Sequence, residues 1–107
     1  MTSLSYPIGR FEMPGQITAE DIEQYIDEIA SLPAQIRAAV EGLNNEQLDT
    51  PYRPEGWTIR QVIHHVPDSH LNSYVRFHWT LTEATPLIKA YDENGWANLD
   101  YQRNMPV

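Results

Sequence analysis

Two segments of this chain repeat apolar residues at the spacing of an α-helix, and this period constrains the fold more than any other feature. In the first segment, Thr18 fits the N-cap position and Asp21 the third helical position, as in a capping box. The residues that follow place apolar side chains on one helical face: Ile22, Ile26, Ile29, Ile36, Val40 and Leu43. The pattern predicts helix 1 over residues 17–44, and Pro33 makes it either one kinked helix or two stacked helices.

The second periodic segment has an equally explicit start signal, with Thr58 at the N-cap and Gln61 three residues later. We expect helix 2 over residues 58–83. At about 100° per residue, its apolar side chains form one stripe that should face the core: Ile59, Val62, Ile63, Val66, Tyr74, Phe77 and Leu81. His70 falls inside this stripe, which predicts a hydrogen-bonded core histidine, whereas His64 and His78 fall on the far flank and should face solvent or an oligomer surface.

The remaining segments show no sustained period. Residues 1–16 contain two prolines and two glycines and predict an N-terminal arm that docks on the domain through its apolar residues, Leu4, Tyr6, Ile8 and Phe11. Residues 84–107 predict a crossover connection with one helical turn near residues 93–99. Because no segment alternates like a strand, we predict an all-α fold. Its single partial domain, residues 1–107, would supply the N-terminal half of a four-helix bundle.

The composition excludes several classes of partner. Seven Lys and Arg against 15 Asp and Glu give a net charge of −8, which disfavours binding to nucleic acid and to anionic membranes. The chain has no cysteine, so it has neither a disulfide framework nor a thiolate ligand. The first residues do not resemble a secretory signal, and no apolar run is long enough to span a membrane. We therefore expect a soluble, cytoplasmic protein.

A row of polar residues runs beside the apolar stripe of helix 2 and is the candidate site. Its members are His65, Ser69, Asn72 and Arg76, at steps of four, three and four residues. Such a row is either a solvated face or one wall of a metal or ligand pocket in a bundle. No two histidines have the HxxxH spacing that places two imidazoles over one turn, so spacing alone gives only a weak metal signal. Asn72 and Arg76 are either substrate contacts or hydrogen-bonding residues of the bundle seam.

Three stretches of the chain resemble the YfiT group of the DinB-like superfamily: LSYPIG at 4–9, LDTPYRPEGWTIRQVIHHVPDSHLNSYVRF at 48–77 and LTEATPLIKAYDENGW at 81–96. The resemblance implies a four-helix bundle and a metal-dependent hydrolase that acts on a small-molecule substrate. A related activity in the superfamily is transfer of low-molecular-weight thiols, such as bacillithiol or mycothiol, to electrophilic substrates. The family's divalent metal, zinc or nickel and one per subunit, is held by three histidines on facing helices.

By this resemblance, the later residue of the HH pair, His65, is a metal ligand, and the other two ligands form an HxxxH motif on a fourth helix. This chain ends before the third helix, so we expect the 107 residues alone to lack two ligands and to be inactive. Pro67 also departs from the family pattern. Inside the helix it should remove a hydrogen bond and cause a kink near His65, at a cost of about 3 kcal/mol.

No general base can be named from the sequence. An alternative to the enzyme is a non-catalytic helical module that self-associates, since two helices per chain would give four in a homodimer.

Overall fold

The computed structural model describes residues 4–107, and in this range it contains five helices and no β-strand. The chain divides after Asn44 into two compact units. The first unit contains α1 (Ala19–Val40), and the second contains α2 (Asn45–Leu48), α3 (Ile59–Thr82), α4 (Glu93–Ala97) and α5 (Asp100–Asn104). The all-α prediction is confirmed. Among the described residues, no helix combines the length and apolar character needed to cross a bilayer.

Helix α1 begins with the capping box that the sequence predicts. The Asp21 amide donates to Thr18 Oγ1 at 3.1 Å, and the Thr18 amide donates to the Asp21 carboxylate at 2.9 Å. The helix continues through Pro33, so the structure contains a single helix here rather than two. It ends at Val40, just before Gly42, whose φ of 81° lies in the left-handed region that glycine adopts readily.

The N-terminal arm does not dock through its apolar side chains. The four residues expected to dock are all exposed, and Ile8 is fully so: Leu4, Tyr6, Ile8 and Phe11. That expectation is therefore wrong for these side chains. The arm's local order comes instead from a turn in which the Gly9 amide donates to the Tyr6 carbonyl at 3.0 Å. Residues 1–3 of the predicted arm lie outside the described residues.

A tight loop leads into α3 and fixes the position of Trp57. Pro51 and Thr58 form an isolated antiparallel bridge, and the Tyr52 amide donates to the Trp57 carbonyl at 3.1 Å. Gly56 is required inside this loop, since a Cβ there would lie 2.6 Å from Arg53 Cγ and 3.1 Å from the Arg53 carbonyl oxygen. The loop thus brings Trp57 to the first turn of α3.

Helix α3 is the centre of the second unit and packs against α2, α4 and α5. Its capping box is present: the Gln61 amide donates to Thr58 Oγ1 at 3.1 Å, and the Thr58 amide donates to Gln61 Oε1 at 2.9 Å. The helix passes through Pro67 and remains helical on both sides of it.

The buried face of α3 is not the apolar stripe. The buried side chains of α3 are polar, Arg60, Gln61 and His64. Several members of the stripe are instead more than half exposed: Tyr74, Phe77 and Leu81. His70 is exposed as well. The predictions of a core His70 and a solvent-facing His64 are therefore both wrong; the exposed position of His78 agrees with its prediction.

The physical reason is that these polar side chains bind backbone carbonyls of the segment that contains α4 and α5. Gln61 Nε2 donates to the Ala97 carbonyl at 2.7 Å, and His64 Nε2 donates to the Met105 carbonyl at 2.9 Å. Arg60 Nη1 donates to the same Met105 carbonyl at 3.0 Å. Burial of polar groups is tolerated when each finds a partner, and here the partners are carbonyls at the ends of short helices.

Candidate functional site

His65 lies in an aromatic setting formed by three segments of the second unit. Its ring centroid is 4.9 Å from that of Trp57 at an interplanar angle of 58°, and 6.4 Å from that of Tyr91 at 19°. Trp96 in turn packs on Tyr91, with centroids 4.8 Å apart. His65 is half-buried, so its ring is restrained by neighbours without being sealed from solvent.

One nitrogen of His65 already has a partner. The phenolic oxygen of Tyr91 lies 3.4 Å from His65 Nδ1. If Nδ1 carries the proton and donates to Tyr91, the Nε2 lone pair is left available, which is the arrangement common for histidines that bind metals. The contact is long for a hydrogen bond, but it identifies Tyr91 as the residue that sets the orientation of this ring.

Tyr91 also connects His65 to the rest of the polar row, because the Ser69 side chain hydrogen-bonds to it. Burial raises the pKa of Tyr91 above its ordinary value, and the negative charges of Glu93 and Asp68 add to the rise. Tyr91 is therefore a neutral hydroxyl at physiological pH, able both to donate and to accept a hydrogen bond.

Asp68 lies on the side of α3 that faces α5. Its carboxylate accepts a hydrogen bond of 2.7 Å from Gln102 Nε2. Burial raises the pKa of Asp68, while the nearby charges of His65 and His64 and the bond from Gln102 lower it in part. Asp68 thus belongs to the contacts that hold α5 against α3.

The far end of the polar row opens into a cleft of about 220 Å³. The cleft lies between α3 and the chain from Lys89 to Trp96, and Arg76 Nη2 joins its two walls by donating to the Lys89 carbonyl at 2.9 Å. Its lining consists of apolar and aromatic side chains with two cations and one amide: Leu71, Val75, Trp79, Tyr91, Trp96, Arg76, Lys89 and Asn72.

A complete metal site is not formed by residues 4–107. In this range no three histidine or carboxylate side chains come together in a way that could hold an ion. His64 is excluded as a partner through Nε2, since that nitrogen is bonded to the Met105 carbonyl. The described residues therefore offer one oriented imidazole, whereas zinc sites use three or four protein ligands.

Comparison with known proteins identifies the family. The sequence profile of the DinB superfamily matches residues 28–104 of this chain. The chain belongs to the DinB superfamily.

Individual relatives within this superfamily are substantially longer. A "putative metal-dependent hydrolase" of Oceanobacillus iheyensis is 53% identical over 102 residues, covering 95% of this chain and 59% of that protein. A protein of the same description from Geobacillus thermodenitrificans is 48% identical over 104 residues, covering 97% and 58%. The chain thus spans somewhat less than three fifths of the length of these relatives.

A solved structure agrees with the fold. YfiT from Bacillus subtilis, described as "a probable metal-dependent hydrolase with an unusual four-helix bundle topology", superposes with a TM-score of 0.91 at 47% identity. The alignment covers 96% of this chain and 59% of YfiT. The predicted membership of the YfiT-like group and the predicted relation to a four-helix bundle are both confirmed.

The structure brings the members of the predicted polar row into one region, but through a residue that the sequence did not single out. Tyr91 contacts His65 and Ser69 and shares the cleft with Asn72 and Arg76. The signal that could have identified it is the N-cap at Asp92, whose carboxylate accepts from the Gly95 amide at 2.9 Å and so starts α4 directly after Tyr91. The role of His65 as a metal ligand stays a prediction.

Proposed function

We propose that this chain forms part of a metal-dependent hydrolase and that His65 is the ligand it contributes. The further ligands would come from the portion of the fold that the longer relatives have outside the matched region. The two histidines of an HxxxH motif on a facing helix would fit the open side of the His65 ring.

The observation that carries the proposal is the orientation of one imidazole. Trp57 and Tyr91 restrain the His65 ring, and Tyr91 Oη lies 3.4 Å from Nδ1. A ring that is held on one side by a hydrogen-bonding partner and left free at Nε2 is pre-organised to bind a metal. His64 and His78 differ from His65 in that their ring nitrogens bond to backbone carbonyls, of Met105 and Tyr74.

The metal we propose is zinc or nickel, since imidazole nitrogen suits both ions. When bound, such an ion polarises a substrate carbonyl or lowers the pKa of a water molecule. The parts of this chain that would act around it are Tyr91, which orients His65, and Asn72 and Arg76, whose side chains face the same cleft wall and could contact a substrate.

The test joins this chain to the remaining part of Bacillus subtilis YfiT, which the high structural similarity makes feasible. We expect the chimera to retain about one zinc or nickel ion per chain after dialysis, measured by atomic emission spectroscopy. His65→Ala should abolish retention, and His70→Ala should not, because His70 is exposed and outside the aromatic setting. Retention of the ion by the His65→Ala chimera would refute the assignment.

The unmodified 107-residue chain provides the second arm. With a single oriented imidazole it should bind zinc only weakly and should not hydrolyse ester or amide substrates. Turnover by this chain in the presence of added zinc, lost on chelation, would show that the residues described here suffice for catalysis.

We further propose that the chain associates as a homodimer. The support is the exposed apolar stripe on α3, where Tyr74, Phe77 and Leu81 are 62%, 68% and 81% exposed. On this chain alone, without the further portion of the fold that the longer relatives have, such exposed apolar side chains favour association with a second copy. Light scattering at micromolar concentration should give twice the monomer mass, and a monomer under those conditions would contradict the proposal.

A further inference from the structure

The cleft between α3 and residues 89–96 lies beside the proposed hydrolase site, which shares its Asn72, Arg76 and Tyr91. Arg76 and Lys89 line it, and within residues 4–107 no acidic side chain does. This is unusual in a chain with 15 acidic and seven basic residues, and Lys89 is its one lysine. The charged side chains of the lining are thus both cations, which favours an anionic ligand, while the carboxylates of Glu93 and Asp68 act on Tyr91 from outside the lining.

Arg76 is fixed in the cleft and incompletely bonded. Its Nη2 donates to the Lys89 carbonyl at 2.9 Å, which holds the guanidinium in place. Its Nε is buried and has no hydrogen-bond partner. Because Nε is enclosed and Nη2 is already bonded, the Nη1 end of the guanidinium is the part that a ligand oxygen in the cleft would contact.

The remaining side chains of the lining are apolar or aromatic, and they indicate which uncharged group of a ligand would fit the cleft. Leu71, Val75 and Trp79 form the α3 wall, and Tyr91 and Trp96 form the opposite wall. These side chains suit an apolar or aromatic group, and the volume of about 220 Å³ is below that of pockets for drug-sized molecules. A nucleotide or a long acyl chain would not fit, whereas a single ring with a short acidic arm would.

We propose that this cleft binds a small carboxylic acid with an apolar body, its carboxylate on Arg76 and Lys89 and its body between Trp79 and Trp96. The planar guanidinium matches the geometry of a carboxylate, and charge-assisted hydrogen bonds of this type are stronger than neutral ones. Lys89 adds a second charge without a fixed geometry. The binding needs no metal, so it can be tested apart from the metal site, although Arg76 is also a proposed substrate contact of the hydrolase.

The experiment is an NMR titration of the metal-free 107-residue chain, in the presence of EDTA, with phenylacetate. The chain has three tryptophans, which serve as internal reporters. The indole N–H signals of Trp79 and Trp96 should shift saturably, and that of Trp57 should shift least, because Trp57 does not line the cleft and its indole is bonded to Asn94 at 3.1 Å. Phenylacetamide has the same shape without the charge and should bind at least about tenfold more weakly.

Three variants distinguish the effect of a positive charge in the cleft from the effect of the protein's net charge. Arg76→Gln should weaken phenylacetate binding by about tenfold or more, and Lys89→Gln by a smaller factor. Arg103→Gln removes an exposed arginine of α5 and should leave binding unchanged. Since Lys89 is exposed and lies outside the helices, Lys89→Gln should fold even if Arg76→Gln does not.

Three outcomes would overturn the proposal. The first is the absence of saturable shifts at Trp79 and Trp96. The second is equal binding of phenylacetate and phenylacetamide, which would show that the cleft is merely apolar. The third is an equal loss in Lys89→Gln and Arg103→Gln, which would show that only the overall charge of the protein matters.

Discussion

Two faces of helix α3 differ in burial, and the buried face is polar whereas the exposed one is apolar. In most helices of globular proteins the apolar face is the buried one. On the face that packs against α2, α4 and α5, the buried side chains are Arg60, Gln61 and His64. On the apolar stripe, toward the other end of the helix, Phe77 and Leu81 are exposed. The difference teaches that the burial of a helical face depends on the partners available to it, because polar side chains that find backbone carbonyls are buried as readily as apolar ones that find a core.

The largest effect should come from breaking the polar face at Arg60. This residue is 4% exposed and donates to Asp49, Asn45 and Met105 at 2.8, 3.0 and 3.0 Å. Arg60→Met keeps most of the side-chain volume but removes the donor to Asp49 and Asn45 and leaves the Met105 carbonyl with His64 alone. We expect the free energy of unfolding to fall by about 3 kcal/mol.

Urea unfolding measures this loss, with Arg103→Met as the matched control. Arg103 is exposed, so its replacement should change the free energy of unfolding by less than about 0.5 kcal/mol. Equal effects of the two substitutions would mean that the buried arginine network does not hold the second unit together.

Substitution of Gln61 should lower the free energy of unfolding by a smaller amount. The side chain of Gln61 makes two hydrogen bonds that can be removed separately. Its Oε1 accepts from the Thr58 amide in the capping box, and its Nε2 donates to the Ala97 carbonyl at 2.7 Å. Gln61→Ala removes both and should cost about 2 kcal/mol.

The substitution Gln61→Glu sharpens this test. A glutamate preserves the acceptor of the capping box, but it cannot donate to the Ala97 carbonyl. Gln61→Glu should therefore also lower the urea midpoint. A midpoint equal to that of the unmodified chain would show that the cap alone matters and that the contact with α4 contributes nothing.

The caps could be predicted from the sequence because they are local, whereas the buried face could not. Thr18 with Asp21 and Thr58 with Gln61 reveal their bonds within four residues, and both capping boxes are present. The partners of His64 and Gln61 lie 41 and 36 residues away. A periodic pattern within one helix cannot predict a side chain that bonds to such a distant carbonyl.

The same distinction applies to the candidate site. Residues of the polar row share one helix, so their spacing predicted that they lie together. The cleft needs Tyr91 and Lys89 from a segment without a helical period, and the orientation of His65 needs Trp57 from the preceding loop. The resemblance to a family includes both segments, but a resemblance between sequences does not give the contacts of Tyr91, Lys89 or Trp57.

The polar face should also make stability depend on pH through Asp68. Burial raises the pKa of this carboxyl above 3.8, the ordinary value. The folded state therefore holds the proton more tightly than the unfolded state. The resulting stabilisation is complete below pH 3.8 and is lost as the pH rises through the raised pKa.

Asp68→Asn removes this ionisation while keeping an oxygen that can accept from Gln102. Relative to the unmodified chain, the variant should become more stable as the pH is raised from 3.5 to 7, in urea titrations at closely spaced pH values of about half a unit. A difference between the two proteins that stays constant over this range would contradict the assignment of the raised pKa to Asp68.

The smallest change in the free energy of unfolding should come from a substitution on the apolar face of α3. Phe77 is 68% exposed, so Phe77→Ser removes few contacts within the chain, and the free energy of unfolding measured at high dilution should change by less than about 0.5 kcal/mol. If Phe77 were a core residue, as its helical period suggests, the cost would be about 3 kcal/mol or more.

At micromolar concentration the same substitution should lower the mass measured by light scattering, because the apolar stripe is the surface proposed for the homodimer. Thr80→Ser, a conservative change on the same helix, should alter neither quantity. A large loss of stability at high dilution would show that Phe77 is packed within the monomer and that the two faces of α3 do not differ as described.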